Sequence, residues 1–201
     1  MNDRAIVASP GQSARRYLDQ ATGLTMVQVQ QGDCYVTNDP NEVLCTVLGS
    51  CVAACVRDEA IGWGGMNHFL LPEGANGANL CMRYGSFAME QLINGILARG
   101  GKRERLEIKV FGGANVLANM WAVGDANAEF IERFLANEGL ALAASHLRGK
   151  LARKVQFFPV AGKVRMRELA DRSEQARENF VPEVRAVRMR ASAAGSVELF
   201  D

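Results

Sequence analysis

The sequence predicts an α+β fold in which sheets are layered and helices cover one sheet face. Two observations carry this expectation. Short runs rich in β-branched and aromatic residues recur along most of the chain, bounded by Gly, Asn, Asp and Pro, while only two stretches keep a helical period. Those two stretches are interspersed among the strand-like runs instead of alternating strictly with them, which argues against a doubly wound parallel sheet. With 201 residues, the chain suits one domain with a full core, because domains commonly run to about 100–200 residues.

Residues 1–25 mix charge, small residues and a Pro-Gly pair without a period and read as a flexible N-terminal arm. From Met26 the pattern changes to MVQVQ and CYVT, two strands separated by Gln-Gly-Asp and followed by the turn-like NDPNE. VLCTVLGS, CVAACV and IGWGGMNHFLLP follow as three strands with tight connections, which predicts an antiparallel sheet. The segment from Pro72 to Tyr84 is rich in Gly and Asn and reads as a loop. From Tyr84 to Ala98, Phe87, Ala88, Leu92, Ile93, Ile96 and Leu97 recur every three or four residues, the signature of an amphipathic helix, which Gly100-Gly101 ends. LEIKVF alternates as a strand and runs into Gly112-Gly113, where a tight turn is a better reading than a phosphate cradle. NAEFIERFLANEG is the second helix, with Phe130, Ile131, Phe134 and Leu135 inward. ALAAS, KVQFFP and KVRM are further strands, so the domain is expected over residues 26–169, with 170–201 as a loosely attached tail.

Composition removes several classes of function. With 23 basic and 22 acidic residues the net charge is +1, too small a field to favour nucleic acid. No apolar run resembles a signal peptide or a membrane span, so a cytoplasmic protein without membrane insertion is expected. Five cysteines, an odd number without an export signal, fit reduced thiols better than a disulfide framework. There is no CxxC, and His68 and His146 are far apart, so neither a metal nor another cofactor is assigned. A monomer is the default, since no apolar run is left unexplained.

The sharpest local feature is LGSC. The small-residue turn Gly49-Ser50 delivers Cys51 between two strands, where a side chain is held rigidly yet reached from solvent and the corner amides can face an oxyanion. The competing reading is a core thiol, since free cysteine is among the most buried residue types. His68 sits in GGMNHFLLP, where alternation puts Met66, His68 and Leu70 on one face and the two glycines would admit close approach to the backbone. A core histidine with a backbone partner is the competing reading there. Cys34, Cys55 and Cys81 read as structural or incidental thiols, Arg83 and Tyr84 as helix cap or substrate contacts, and His146 as a surface residue.

The ordered set VLGSCVAACVRD, GGMNHFLLP seventeen residues after the cysteine, RYGSFAMEQLINGILARGG, LEIKVFGGANV and KVQFFPVAGKV resembles the CheD family of chemoreceptor glutamine deamidases, over roughly Met26 to Leu169. The resemblance implies a three-layer α/β sandwich, similar to the catalytic domain of a deamidating bacterial toxin, with a catalytic pair at Cys51 and His68. It also implies an orienting threonine six positions before the cysteine; Cys45 occupies that position here and Thr46 lies one step later. In a regular strand that offset turns the side chain to the opposite face, so Thr46, Cys45, a backbone carbonyl or a water are the candidates for the third member. The implied partners are the cytoplasmic domains of methyl-accepting chemotaxis receptors and a CheC-type phosphatase. The implied reaction is thioester-mediated conversion of glutamine to glutamate, with glutamyl methyl ester hydrolysis open to the same chemistry. A binding module for a CheC-type phosphatase and another thiol acyl-transfer enzyme are the alternatives.

Overall fold

The computed structural model describes residues 15–71, 78–116 and 123–170, and only the backbone of 78–82 and 197–199. Eleven strands and two α-helices are present among them: β1 (Arg15–Leu18), β2 (Thr25–Gln28), β3 (Cys34–Thr37), β4 (Glu42–Leu48), β5 (Val52–Asp58), β6 (Trp63–Asn67), α1 (Ala78–Leu97), β7 (Leu106–Gly112), α2 (Val123–Asn137), β8 (Leu142–Leu147), β9 (Ala152–Phe158), β10 (Lys163–Leu169) and β11 (Val197–Leu199). They form one sheet in the order β1-β2-β4-β9-β10-β11 and a second in the order β3-β6-β5-β7-β8.

Period-two alternation builds the layers. Along β5, Val52, Ala54 and Val56 join Leu92, Ile96, Phe130 and Ile131 of the helices in one core, while Ala53 and Cys55 face Leu44, Leu48, Val155 and Phe157 of the other sheet in a second core. The result is helices on sheet on sheet, the α+β sandwich expected. Helix α1 lies directly on β6: a Cβ at Gly65 would stand 2.8 Å from Leu92 Cδ1 and 2.5 Å from the Tyr35 carbonyl. The close approach that this glycine permits is therefore internal, by the protein's own helix.

The structure corrects several boundaries. The expected arm at 1–25 gives way at Arg15, where β1 pairs antiparallel with β2, and Arg16 bonds the Tyr35 hydroxyl and lies 2.9 Å from the buried Glu42 carboxylate. Charge along RRYL hid this edge strand from pattern reading, although charged edges are normal in sheets. The expected tail contributes β11, parallel to β10; residues 1–14 and 171–196 lie outside the described residues. Helix α1 starts at Ala78, inside the expected loop, so Arg83 and Tyr84 are within the helix and do not cap it.

The expected antiparallel trio is also revised. Strands β5 and β6 pair antiparallel, but β4 belongs to the other sheet, between β2 and β9. The chain thus leaves the first sheet for the second at Gly49–Cys51, and it does the same at Val29–Asp33 between β2 and β3. Because β2 and β4 are parallel neighbours, both exits lie at the same end of the sandwich. Strand β6 runs antiparallel to both β3 and β5, which brings its own C-terminal end there too.

Candidate functional site

That shared end gathers Cys51, His68 and Thr46. Val52 and Phe69 exchange two backbone hydrogen bonds of 2.9 Å, and both side chains enter the helix-side core. Their neighbours Cys51 and His68 therefore project to the opposite face, toward the first sheet, as diagonal neighbours on adjacent strands.

Regular alternation in β4 decides between Cys45 and Thr46. Leu44 and Leu48 enter the intersheet core, whereas Cys45 packs with Met26 and Val43 on the outer face, its thiol 3.6 Å from the Val27 carbonyl. Thr46 therefore points between the sheets, and its Oγ1 lies 2.8 Å from His68 Nδ1. The position that the resemblance indicated for the third residue faces away from the imidazole, and no bulge intervenes, because β4 keeps unbroken register with β9 from Leu44 to Leu48.

His68 Nδ1 also lies 3.2 Å from the Val29 carbonyl. A carbonyl only accepts, so Nδ1 carries the proton and Nε2 is left with its lone pair. Nε2 is buried and has no hydrogen-bond partner among the described residues, an arrangement that leaves a base open to an incoming proton. Burial holds the imidazole pKa down to about 4, against a smaller opposing effect of the Val29 carbonyl. Burial likewise pushes the Cys51 thiol up to about 11, offset in part by a bond from its own amide. At neutral pH both groups are uncharged.

The thiol does not bond the imidazole here. It donates to Gln31 Oε1 at 3.7 Å, from the turn linking β2 to β3. Gln31, polar and exposed on a polar turn, carries no pattern that singles it out in sequence. Of the four described cysteines, Cys51 alone is not buried, which sets aside the core-thiol reading.

The corner itself is clamped by the Gly112-Gly113 pair. Gly113 N–H donates to the Cys51 carbonyl at 2.8 Å and Ala114 N–H to the Gly49 carbonyl at 2.9 Å. At Gly112, φ is 117° and a Cβ would stand 2.1 Å from the Cys51 oxygen, so only glycine permits this approach. Behind the clamp lies the fully buried Arg153 of β9, which donates to the carbonyl of Gly112 at 3.2 Å, to those of His146 and Arg148, and to His146 Nδ1 at 2.9 Å. His146, expected on the surface without a partner, thus has one. An arginine in a strand gives no sequence signal of such a role, since most are solvated.

Tyr84, on α1, places its hydroxyl over Gly32, 3.6 Å from where a Cβ would stand. Among the described residues no group of His, Cys, Asp and Glu could hold a metal, and no helix is long and apolar enough to cross a membrane.

Fold and site define a layered α+β protein with a half-buried thiol at an intersheet corner and a threonine-bonded imidazole beside it. Comparison with known proteins matches residues 70–168 to the family described as CheD chemotactic sensory transduction. Proteins named "Probable chemoreceptor glutamine deamidase CheD" align along nearly the whole chain. The one from Rhodopseudomonas palustris (strain BisA53) is 50% identical, covering 94% of this chain and 90% of its own. That from Caulobacter vibrioides (strain NA1000 / CB15N) is 48% identical, covering 87% and 92%, and that from Hahella chejuensis is 43% identical, covering 94% and 92%. The chain belongs to the CheD family. A crystal structure of a Neisseria meningitidis protein of family DUF152 aligns over 63% of each chain at 14% identity with a TM-score of 0.38, too distant to inform the site.

Proposed function

We propose that the protein is a chemoreceptor glutamine deamidase in which Cys51 is the nucleophile, His68 the general base and acid, and Thr46 the group that holds the imidazole. The observation that carries this reading is the buried Nε2 of His68, without a hydrogen-bond partner among the described residues and fixed as a base by contacts at Nδ1, on the same sheet face as the half-buried Cys51. The names carried by relatives of 43–50% identity supply the substrate class, glutamine side chains of chemoreceptors.

A carboxamide is a poor electrophile and an ordinary thiol near neutral pH is mostly protonated, so the sulfur needs a base at the moment of attack. With both groups neutral at rest, the Sγ–H proton passes to His68 Nε2 as the sulfur bonds the glutamine Cδ. The carbonyl oxygen becomes an oxyanion beside the Cys51 amide. Collapse expels ammonia, which takes the proton back from Nε2, and leaves a thioester. Water, deprotonated by His68, then cleaves the thioester to a glutamate carboxylic acid and returns the thiol. The balance is one water consumed and one ammonia released, a gain of about 1 Da per glutamine. A glutamyl methyl ester enters by the same route with methanol as leaving group.

Such chemistry belongs in the cytoplasm, where receptor signalling helices lie, with the protein acting as a soluble monomer. The test is mass analysis of a purified receptor cytoplasmic domain incubated with the protein and with its Cys51→Ala and His68→Ala variants. Specific glutamines gain 1 Da with the wild type alone; intact glutamines at stoichiometric wild-type protein overturn the reading.

A further inference from the structure

The Cys51 thiol donates to a side chain that the deamidation mechanism leaves unused, Gln31, whose Oε1 receives it at 3.7 Å. The contact is built into the backbone. Gln31 sits in a turn closed by Asp33 N–H to the Gln30 carbonyl at 2.9 Å and by Gln30 N–H to the Asp33 carboxylate at 2.9 Å. That turn is tied to the histidine strand by Gly32 N–H to the His68 carbonyl at 2.7 Å and by His68 N–H to the Asp33 carbonyl at 3.1 Å, while the preceding Val29 carbonyl meets the imidazole itself. The segment that orients His68 therefore also holds Gln31 over Cys51, on the solvent side from which a substrate must come.

A carboxamide carries an acceptor at one end and two donors at the other. Its terminal torsion is broad and roughly two-fold, so either end can face the sulfur. Against a neutral thiol, which donates, the oxygen end is the matching partner. Once the proton has moved to His68 and the negative charge has passed to the substrate's carbonyl oxygen, the NH₂ end is the matching one. Backbone donors at the corner are few: Gly113 and Ala114 N–H are spent on the Cys51 and Gly49 carbonyls and Val52 N–H on Phe69, leaving the Ser50 amide and the Cys51 amide, of which the latter faces its own sulfur. A tetrahedral intermediate formed there has only the amides of the corner's own backbone beside it, and a side-chain donor reaching it from the solvent side adds to them.

We propose that Gln31 is a further catalytic residue, whose side-chain NH₂ supplies an oxyanion donor, alongside the corner amides, for the intermediate formed on Cys51. This rests on the deamidase reading. The experiment compares full-length wild type with Gln31→Ala and Gln31→Glu, the latter keeping the size but offering no donor, on a purified receptor cytoplasmic domain. It also measures alkylation of Cys51 by iodoacetamide at pH 9, a reaction that forms no oxyanion. The expected result is a kcat lowered on the order of 10²–10³-fold in both variants, as for loss of one oxyanion donor, with KM and the alkylation rate near wild type. A kcat close to wild type or raised, or alkylation lost in parallel with kcat, overturns the role for Gln31 while leaving the deamidase reading intact. Wild-type protein inactive on receptor glutamines overturns both.

Discussion

Thr46 Oγ1 and His68 Nδ1 meet at 2.8 Å across two different sheets. The bond spans the layer that the chain crosses twice at this end, so it fixes the ring relative to the corner that carries Cys51. Thr46→Val keeps shape and removes the hydroxyl, leaving the Val29 carbonyl as the sole holder of the ring. Turnover is expected to fall on the order of 10- to 100-fold, part of the roughly 10²–10⁴ that a positioned base contributes, with circular dichroism unchanged. Cys45→Ala, on the outer face of β4, is expected to leave turnover at the wild-type rate. Steady-state ammonia release from a receptor domain checks both, and the reverse pattern would return the orienting role to Cys45.

How much of this was legible in the sequence follows from what each feature depends on. The helix periodicity from Ala88 to Leu97, the alternation in LEIKVF and the Gly-Ser turn before Cys51 are local, and each appears in the structure where the pattern put it, whereas Phe87, read on the apolar face, is 61% exposed. Which sheet a strand joins is not local. VLCTVL and CVAACV look like a hairpin because they are adjacent in sequence, yet β4 pairs with β9, more than a hundred residues further on. The choice of Thr46 over Cys45 was legible only in principle, since it needs the face of β4 that meets the second sheet. Gln31 and Arg153 were invisible for the same reason: their partners, Cys51 and the carbonyls of Gly112, His146 and Arg148, are set by tertiary contacts.

His68 makes stability depend on pH in a definite direction. Its folded-state pKa is lowered to about 4, mainly by burial, against about 6.5 for an unperturbed histidine. The unfolded chain takes up a proton in the window from about 6.5 down to 4 while the folded chain does not, so stability is fully present above the upper limit and is lost as pH falls through the window. The loss attributable to this group between pH 7 and pH 4 is about 2–3 kcal/mol. Urea denaturation of wild type and His68→Gln at pH 7 and pH 4.5 checks it: the wild type is expected to lose more stability than the variant. Equal losses would mean that the imidazole is not held neutral by burial.

The Cys51 thiol, raised to about 11, is expected to alkylate slowly at pH 7 and about tenfold faster for each pH unit up to 9, because the thiolate fraction grows by that factor below the pKa. Among the described thiols it is expected to react first, since Cys34, Cys45 and Cys55 are buried. Peptide mapping after iodoacetamide treatment reads this directly. A fast, pH-independent reaction at Cys51 from pH 6 to 9 would instead mean a preformed thiolate paired with protonated His68.

The clamp behind the corner gives the sharpest structural prediction. Gly112→Ala puts a methyl group 2.1 Å from the Cys51 carbonyl oxygen at a φ of 117°, so the β7 end must retreat and the Gly113 and Ala114 bonds to the corner lengthen. Arg153→Met fills similar space but removes the guanidinium donor from the His146 and Arg148 carbonyls, while the Gly112 carbonyl keeps the Arg148 N–H at 2.9 Å. A buried carbonyl left unpaired costs about 1–3 kcal/mol, so this variant is expected to be measurably less stable by chemical denaturation. Both changes act on the backbone that presents Cys51, so at temperatures where the variants remain folded kcat is expected to fall while KM for a receptor domain stays near wild type. Wild-type kcat in a folded Gly112→Ala variant would show that the intersheet corner tolerates displacement, and that the nucleophile's position is set by β5 alone.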